Sequence, residues 1–188
     1  VIQPSLEYLK DLPIKDLGDI VLRPVLYEDY KDIYKYGSDE KVTRTLMWDT
    51  FKDLSEAIYS VKNVFLNRPE KGVPSAYAIV FKENSQMIGT CDIFKINWDT
   101  LVGEIGYVLN RDYWGRGYMT LTCKALLELG FNYLKLNKIN IGHMIGNTGS
   151  RRVIEKCGFK YIKNKVHPKS KIEVKEYEMT KEDYQLLK

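Results

Sequence analysis

One stretch constrains the fold more than any other. Residues 102–145 read in order as an apolar strand over 102–109, a turn with two glycines, a long amphipathic helix and a second strand over 138–145. The helix shows its apolar stripe in Leu121, Ala125, Leu126, Leu129 and Leu134. Such a strand–glycine turn–helix–strand unit, set among other strands, argues for an α+β or α/β chain with a mixed sheet.

The rest of the pattern agrees. Residues 19–24 read as a first strand stopped by Pro24. Tyr30, Ile33 and Tyr36 repeat at helical spacing before Gly37, and residues 53–66 return to that period. Residues 38–50 between them are polar and irregular. Residues 76–81, 87–96 and 102–109 predict consecutive strands, turned at Asn84-Ser85 and at residues 97–100, as an antiparallel meander. Asn147 starts a helix that Gly158 closes in the left-handed conformation. Residues 159–166 and 172–179 predict a closing hairpin. The apolar parity changes between Val174 and Tyr177, which predicts a bulge in the last strand. Residues 1–18, interrupted by Pro4 and Pro13, form a short arm, and residues 19–188 are expected to form a single domain.

Composition excludes several classes. At 188 residues, 44% hydrophobic and 29% charged, the chain can bury a core. No apolar run reaches the length of a membrane span and no secretory leader is visible, so no membrane partner is expected. The net charge of +4 favours a small anionic ligand and is too dispersed for direct nucleic-acid binding. Cys91, Cys123 and Cys157 are few, scattered and odd in number, and His143 and His167 do not cluster with them. That disfavours disulfides and a metal site and fits a reducing, cytoplasmic setting. Cys123 and Cys157 read as small core residues.

The chemistry points to the glycine turn. Backbone N–H groups at a helix start, beside glycines, suit phosphate or pyrophosphate. The turn lacks the lysine of a P-loop and the third glycine of a dinucleotide site. Arg111 and Arg116 sit where the helix dipole disfavours cations by roughly 0.3–1 kcal/mol, which makes sense if an anion lies between them. Arg151 and Arg152 repeat the theme after Asn147. A plain tight turn and a plain capped helix with solvated arginines are the competing readings of these two stretches.

Four stretches together resemble the GNAT superfamily of acetyl-coenzyme A-dependent N-acetyltransferases, and within it the RimJ/RimL group of ribosomal-protein N-acetyltransferases. They are residues 43–66 with Trp48 and Ser55-Glu56-Ala57; Tyr77-Ala78-Ile79-Val80 with Ile88-Gly89-Thr90; Gly103-Glu104-Ile105-Gly106 through Trp114-Gly115-Arg116-Gly117-Tyr118-Met119-Thr120; and Asn147 through Ser150 to Cys157-Gly158-Phe159. The last two, in this order and spacing, are the specific ones, and residues 1–18 lie outside the resemblance.

The resemblance implies a central, mostly antiparallel twisted sheet with one splayed parallel strand pair, flanked by helices. It implies acetyl-coenzyme A as co-substrate with no metal, and a primary amine as acceptor: a protein N-terminus, a peptide or a small molecule. Cofactor contacts fall on Tyr107, Val108, Leu109, Arg111, Asp112, Trp114, Gly115, Arg116, Gly117, Tyr118, Met119, Thr120, Asn147 and Arg152. The backbone N–H of Val108 or Leu109 would face the oxyanion. Glu104 is the candidate general base, with a solvated strand glutamate or a structural ion pair as its bland alternative. Ser150 is the candidate acid for the leaving thiolate, with simple helix capping as its alternative. Tyr36 and Trp48, walling an acceptor site built from residues 37–50 and 167–170, are the substrate-binding candidates, with an ordinary core role as the competing reading of each. The family's glutamine or arginine at the head of the phosphate loop is Asp112 here, and its usual acidic tyrosine is Ile154. These departures leave a second reading open, a catalytically weak coenzyme A-binding sensor or interaction module. The arm could also pack on a second subunit as a homodimer.

Overall fold

The β-branched runs become strands and the punctuation between them becomes Asx turns. The computed structural model describes residues 3–168 and 170–188; Val1 and Ile2 of the expected arm and Lys169 of the expected acceptor loop lie outside them. Eight strands form one mixed sheet: β1 (Lys15–Asp16), β2 (Ile20–Pro24), β3 (Tyr77–Phe81), β4 (Gln86–Asn97), β5 (Val102–Leu109), β6 (Lys138–Met144), β7 (Lys160–Val166) and β8 (Glu173–Thr180). Their order is β1-β2-β3-β4-β5-β6-β8-β7. Asn84 Oδ1 accepts from the N–H of Gln86 at 2.9 Å, and Asn97 Oδ1 from those of Asp99 and Thr100 at 2.9 and 3.0 Å. Both turns are where the sequence predicts them, because asparagine carries its own acceptor to the backbone two residues on.

The chain divides into two compact units: Val1–Asp92 with Tyr107–Tyr118, and Ile93–Gly106 with Met119–Lys188. In the first, α2 (Tyr30–Gly37), α3 (Glu40–Thr43) and α4 (Leu54–Ser60) accompany the antiparallel strands β1 to β3 and the start of β4. The core is Val25, Ile33, Tyr36, Val42, Ala57, Val61, Ala76, Ala78 and Met87. Burying each large apolar side chain contributes ~1.5–3 kcal/mol. α3 falls in the stretch expected to be irregular; Asp39 caps it by accepting from the N–H of Lys41, and Val42 is its one buried hydrophobic residue. The helix expected over 53–66 starts on its Asp53 cap but loosens into a π-helical turn over Val61–Phe65. The arm contains α1 (Leu6–Lys10), with Leu9 and Leu12 buried. Tyr77 donates its hydroxyl to the Pro13 carbonyl at 2.5 Å, and the Ser75 N–H donates to that of Leu9 at 2.9 Å.

In the second unit, α5 (Tyr118–Glu128, its first residue in the other unit) runs into a π-helical turn over Leu129–Tyr133. α6 (Thr148–Lys156) follows β6. Leu126, Phe131, Ile139, Ile141, Ile154 and Met179 are all buried. β6 pairs parallel with β5 over three rungs, Val102, Gly103 and Glu104 against Lys138, Ile139 and Asn140, and both strands run on beyond them. β8 pairs antiparallel with β6 and with β7. The bulge expected in β8 belongs instead to its partner: the register shifts between Tyr161 and Lys163 of β7. A parity change opposite Tyr177 is satisfied equally by an extra residue on the neighbouring strand, and Ile162 is that residue. A last helix, α7 (Lys181–Leu186), capped by Thr180, was not foreseen; it buries none of its residues and so carries no apolar stripe. None of the described helices is long and apolar enough to cross a membrane.

Candidate active site

In the first unit, β5 ends at Leu109 and a single 3-10 turn over Arg111–Tyr113 leads to the start of α5. Asn110 sets that turn by accepting from the N–H of Asp112 at 3.0 Å. Trp114 folds back and donates its indole N–H to the Leu109 carbonyl at 2.8 Å, tying the loop to the strand end. Gly115 (φ +75°) and Gly117 (φ +81°) are left-handed, with open space where a Cβ would stand. An L-residue there meets only its own backbone strain. Among the described residues, the N–H groups of Gly115, Arg116 and Gly117 make no hydrogen bond within the protein. The first N–H groups of α5 lack intrahelical partners by geometry as well. The loop therefore presents a run of donors at the positive end of a helix dipole.

Its arginines divide. Arg111 donates through Nε to Asp39 at 2.8 Å, so the anion beside it in this structure is a carboxylate of the chain itself. That hydrogen bond, working against desolvation, holds the Asp39 carboxyl below its ordinary value. Arg116 donates through Nη2 to the Asp112 carbonyl at 3.1 Å, and its guanidinium lies 5.0 Å from the Tyr113 ring centre. Gly89 of the sequence motif has a structural duty: a Cβ there would run into the Val108 carbonyl. Tyr36 is 2% exposed and its hydroxyl donates to Thr90 Oγ1 at 3.4 Å; burial pushes its phenol up. Trp48 is 37% exposed and stacks on Phe51 with ring centres 5.1 Å apart.

In the second unit, Glu104 stands opposite Asn140 in the parallel ladder, its side chain 25% exposed. Its Oε2 accepts from Lys95 Nζ at 3.2 Å, so the ion pair weighed as its alternative reading is present. Asn147 caps α6 as expected, Oδ1 accepting from the Ser150 N–H at 3.1 Å. Arg151 pairs with Glu155 at 2.8 Å, the bland reading of that arginine, and Arg152 is exposed. Ile154 is fully buried and belongs to the core. Gly158 is left-handed at φ +87°. Cys123 and Cys157 are buried; a hydrogen bond from Cys123 lowers the Cys157 thiol against the effect of burial.

Two polar clusters were not foreseen. Arg68 and Asp92 form a largely buried pair at 2.8 Å in the first unit. In the second, His143 Nδ1 faces the Met144 carbonyl at 2.9 Å and so carries the hydrogen there; Nε2 accepts from the Tyr177 hydroxyl at 3.2 Å. Burial raises that phenol, Glu155 adds to the rise and Arg151 opposes it. Neither cluster has a local sequence signature, since each joins residues from separate elements.

A mixed sheet with one short parallel ladder, flanking helices and a donor-lined glycine loop at a helix start is the α+β architecture that the resemblance to acetyl-coenzyme A-dependent transferases implies. The family follows directly: residues 19–160 match the acetyltransferase (GNAT) domain, and the chain belongs to that family, as an acetyl-coenzyme A-dependent N-acetyltransferase of the RimJ/RimL-like group. The uncharacterized N-acetyltransferase p20 of Bacillus licheniformis is 31% identical over 143 residues, which span 74% of this chain and 78% of that protein. The ribosomal L7/L12 alpha-N-protein acetyltransferase RimL, solved with coenzyme A, matches with a TM-score of 0.79 at 18% identity, over 92% of this chain and 99% of that one. The spermidine N-acetyltransferase of Vibrio cholerae, solved with coenzyme A and spermine, matches with a TM-score of 0.76 at 16% identity, over 89% and 98%. At such identities the two structures speak for the fold alone.

Proposed function

We propose that the enzyme transfers the acetyl group of acetyl-coenzyme A to a primary amine by direct attack, with both substrates bound together. One observation carries the reading: the unsatisfied N–H groups of Gly115, Arg116 and Gly117 at the start of α5. They suit the diphosphate of coenzyme A, with the first N–H groups of α5, from Tyr118, Met119 and Thr120, beside them, whereas the N–H groups of Asp112 and Trp114 are spent inside the loop on Asn110 and Arg111. Arg116 and Arg152 are the cations assigned to phosphate; Arg111, engaged with Asp39, holds the loop. Asn147 spends its carbonyl oxygen on the helix cap, which leaves its NH2 to donate to the pantetheine amides. Tyr107, Val108 and Leu109 would border the same arm, pairing with it like an added strand.

Bound acetyl-coenzyme A supplies the activated carbonyl. The chain supplies the rest. Glu104 takes the proton of the acceptor ammonium, directly or through a water. The N–H of Val108 or Leu109 stabilises the oxyanion. Ser150 Oγ passes its proton to the leaving thiolate and regains one from the acylated nitrogen, because Ile154 carries none to give. The acceptor class is a protein α-amine or a polyamine, the two that the neighbouring folds are named for, with the half-exposed Trp48 assigned to its wall, while Tyr36 stays in the core.

The test is a panel of peptides with free α-amines, polyamines and small amines, monitored by thiol release. Glu104→Gln lowers turnover about 10²- to 10⁴-fold, while calorimetry finds acetyl-coenzyme A affinity unchanged. Full turnover in that variant removes Glu104 from the mechanism.

A further inference from the structure

The carboxylate assigned to meet the acceptor ammonium already holds one. Lys95 Nζ lies 3.2 Å from Glu104 Oε2, and a lysine head is chemically what an acceptor brings, a primary alkylammonium. The contact is built into the strand. β4 passes through the left-handed conformation at Lys95, φ +48°, which is rare for a residue with a side chain inside a strand. Lys95 also lies 5.1 Å from the Phe94 ring centre. Its side chain is 65% exposed, against 25% for Glu104, so the lysine can swing away into water while the carboxylate stays.

We infer that Lys95 is an internal competitor for the acceptor, occupying the ammonium position on Glu104 in the free enzyme, and that it thereby sets acceptor affinity and specificity. The inference rests on Glu104 as the proposed base. An incoming amine must displace Lys95 before it can surrender its proton, so amines with further anchoring contacts are favoured over bare cations. Asn140 and Glu178 continue the row of Glu104 across the neighbouring strands, and Glu178 has its own lysine, Lys138, at 3.4 Å. That second pair provides an internal control.

The experiment takes the panel amine with the highest kcat/KM. In Lys95→Met its KM falls about two- to fivefold, the span of an exposed ion pair, while kcat and the KM for acetyl-coenzyme A move less. Lys95→Gly does the same and relieves the left-handed strain, so misfolding cannot account for the result. Lys95→Arg restores the wild-type KM, and Lys138→Met leaves it unchanged. An unchanged or raised KM in both Lys95→Met and Lys95→Gly overturns the inference, as does an equal fall in Lys138→Met, which would show general surface charge. Loss of turnover in Glu104→Gln beside an unchanged KM in Lys95→Met sinks this inference and leaves the base standing. Full turnover in Glu104→Gln, or no turnover with any amine in any protein, sinks both.

Discussion

Arg68 and Asp92 hold each other at 2.8 Å with side chains only 14% and 11% exposed. Arg68 is fixed further by Nε donating to the Val64 carbonyl at 3.0 Å and by the Phe65 ring, 5.3 Å from its guanidinium. Two charges taken from water gain little net energy from one another, but one left alone is expensive. Asp92→Ala therefore destabilises the protein by ~3–5 kcal/mol, and Asp92→Leu combined with Arg68→Met recovers most of that loss. Urea unfolding midpoints check both, and an Asp92→Ala midpoint equal to wild type would show that the pair is solvated. The sequence places neither partner in the core, because Arg68 follows a helix and Asp92 interrupts an apolar strand. Lys95 is hidden for a related reason: alternation predicts where a strand residue faces, and a left-handed residue breaks the alternation without changing composition. Tyr36, Cys123 and Cys157 were legible as core candidates, since aromatic and thiol side chains bury well at helical spacing.

Elements are most legible where a single side chain ends or begins them. Asn147, Asp53 and Gly158 stand at the helix ends they predict. The phosphate loop is the sharpest case, because the left-handed turns at Gly115 and Gly117 demand glycine whatever surrounds them. Gly117→Ala keeps the open space but forces an L-residue to φ +81°, at ~1–2 kcal/mol. The loop avoids part of that strain by shifting its N–H groups, so acetyl-coenzyme A affinity falls about tenfold, measured by calorimetry. A variant that binds as wild type would show that these donors do not hold the diphosphate. The π-helical turns that end α4 and α5 were not legible: they preserve apolar spacing and alter only the hydrogen-bond step.

At the scale of the whole molecule, several carboxyl groups share one behaviour. Lys82 lowers Asp16, Ser55 lowers Asp53 and Lys160 lowers Asp183, while Arg111 lowers Asp39 against its desolvation. The unfolded chain takes up protons on these groups at about pH 3.9, before the folded chain does. Their stabilisation is complete above that pH and disappears as pH falls through the lower folded values. The urea midpoint therefore drops modestly below about pH 4, since these carboxyls are solvent-screened; a midpoint that holds to pH 2.5 would contradict it. The mixed class of the sheet was legible because strand and helix periods alternate along the chain. The bulge in β7 and the capped α7 were not, since one depends on the partner strand and the other has no buried face. β7 itself stands at the rim of the sheet with every residue exposed, and Lys160, Lys163 and Lys165 punctuate Tyr161, Ile162 and Val166. Lys160 and Lys165 are drawn to Asp183 and Glu176 at 2.7 and 2.8 Å, yet charged side chains along an edge strand still discourage the same border of another molecule from pairing there. Neutralising the three lysines would leave a bare apolar ribbon, ready to template stacking between copies, so these cations serve as a guard against aggregation.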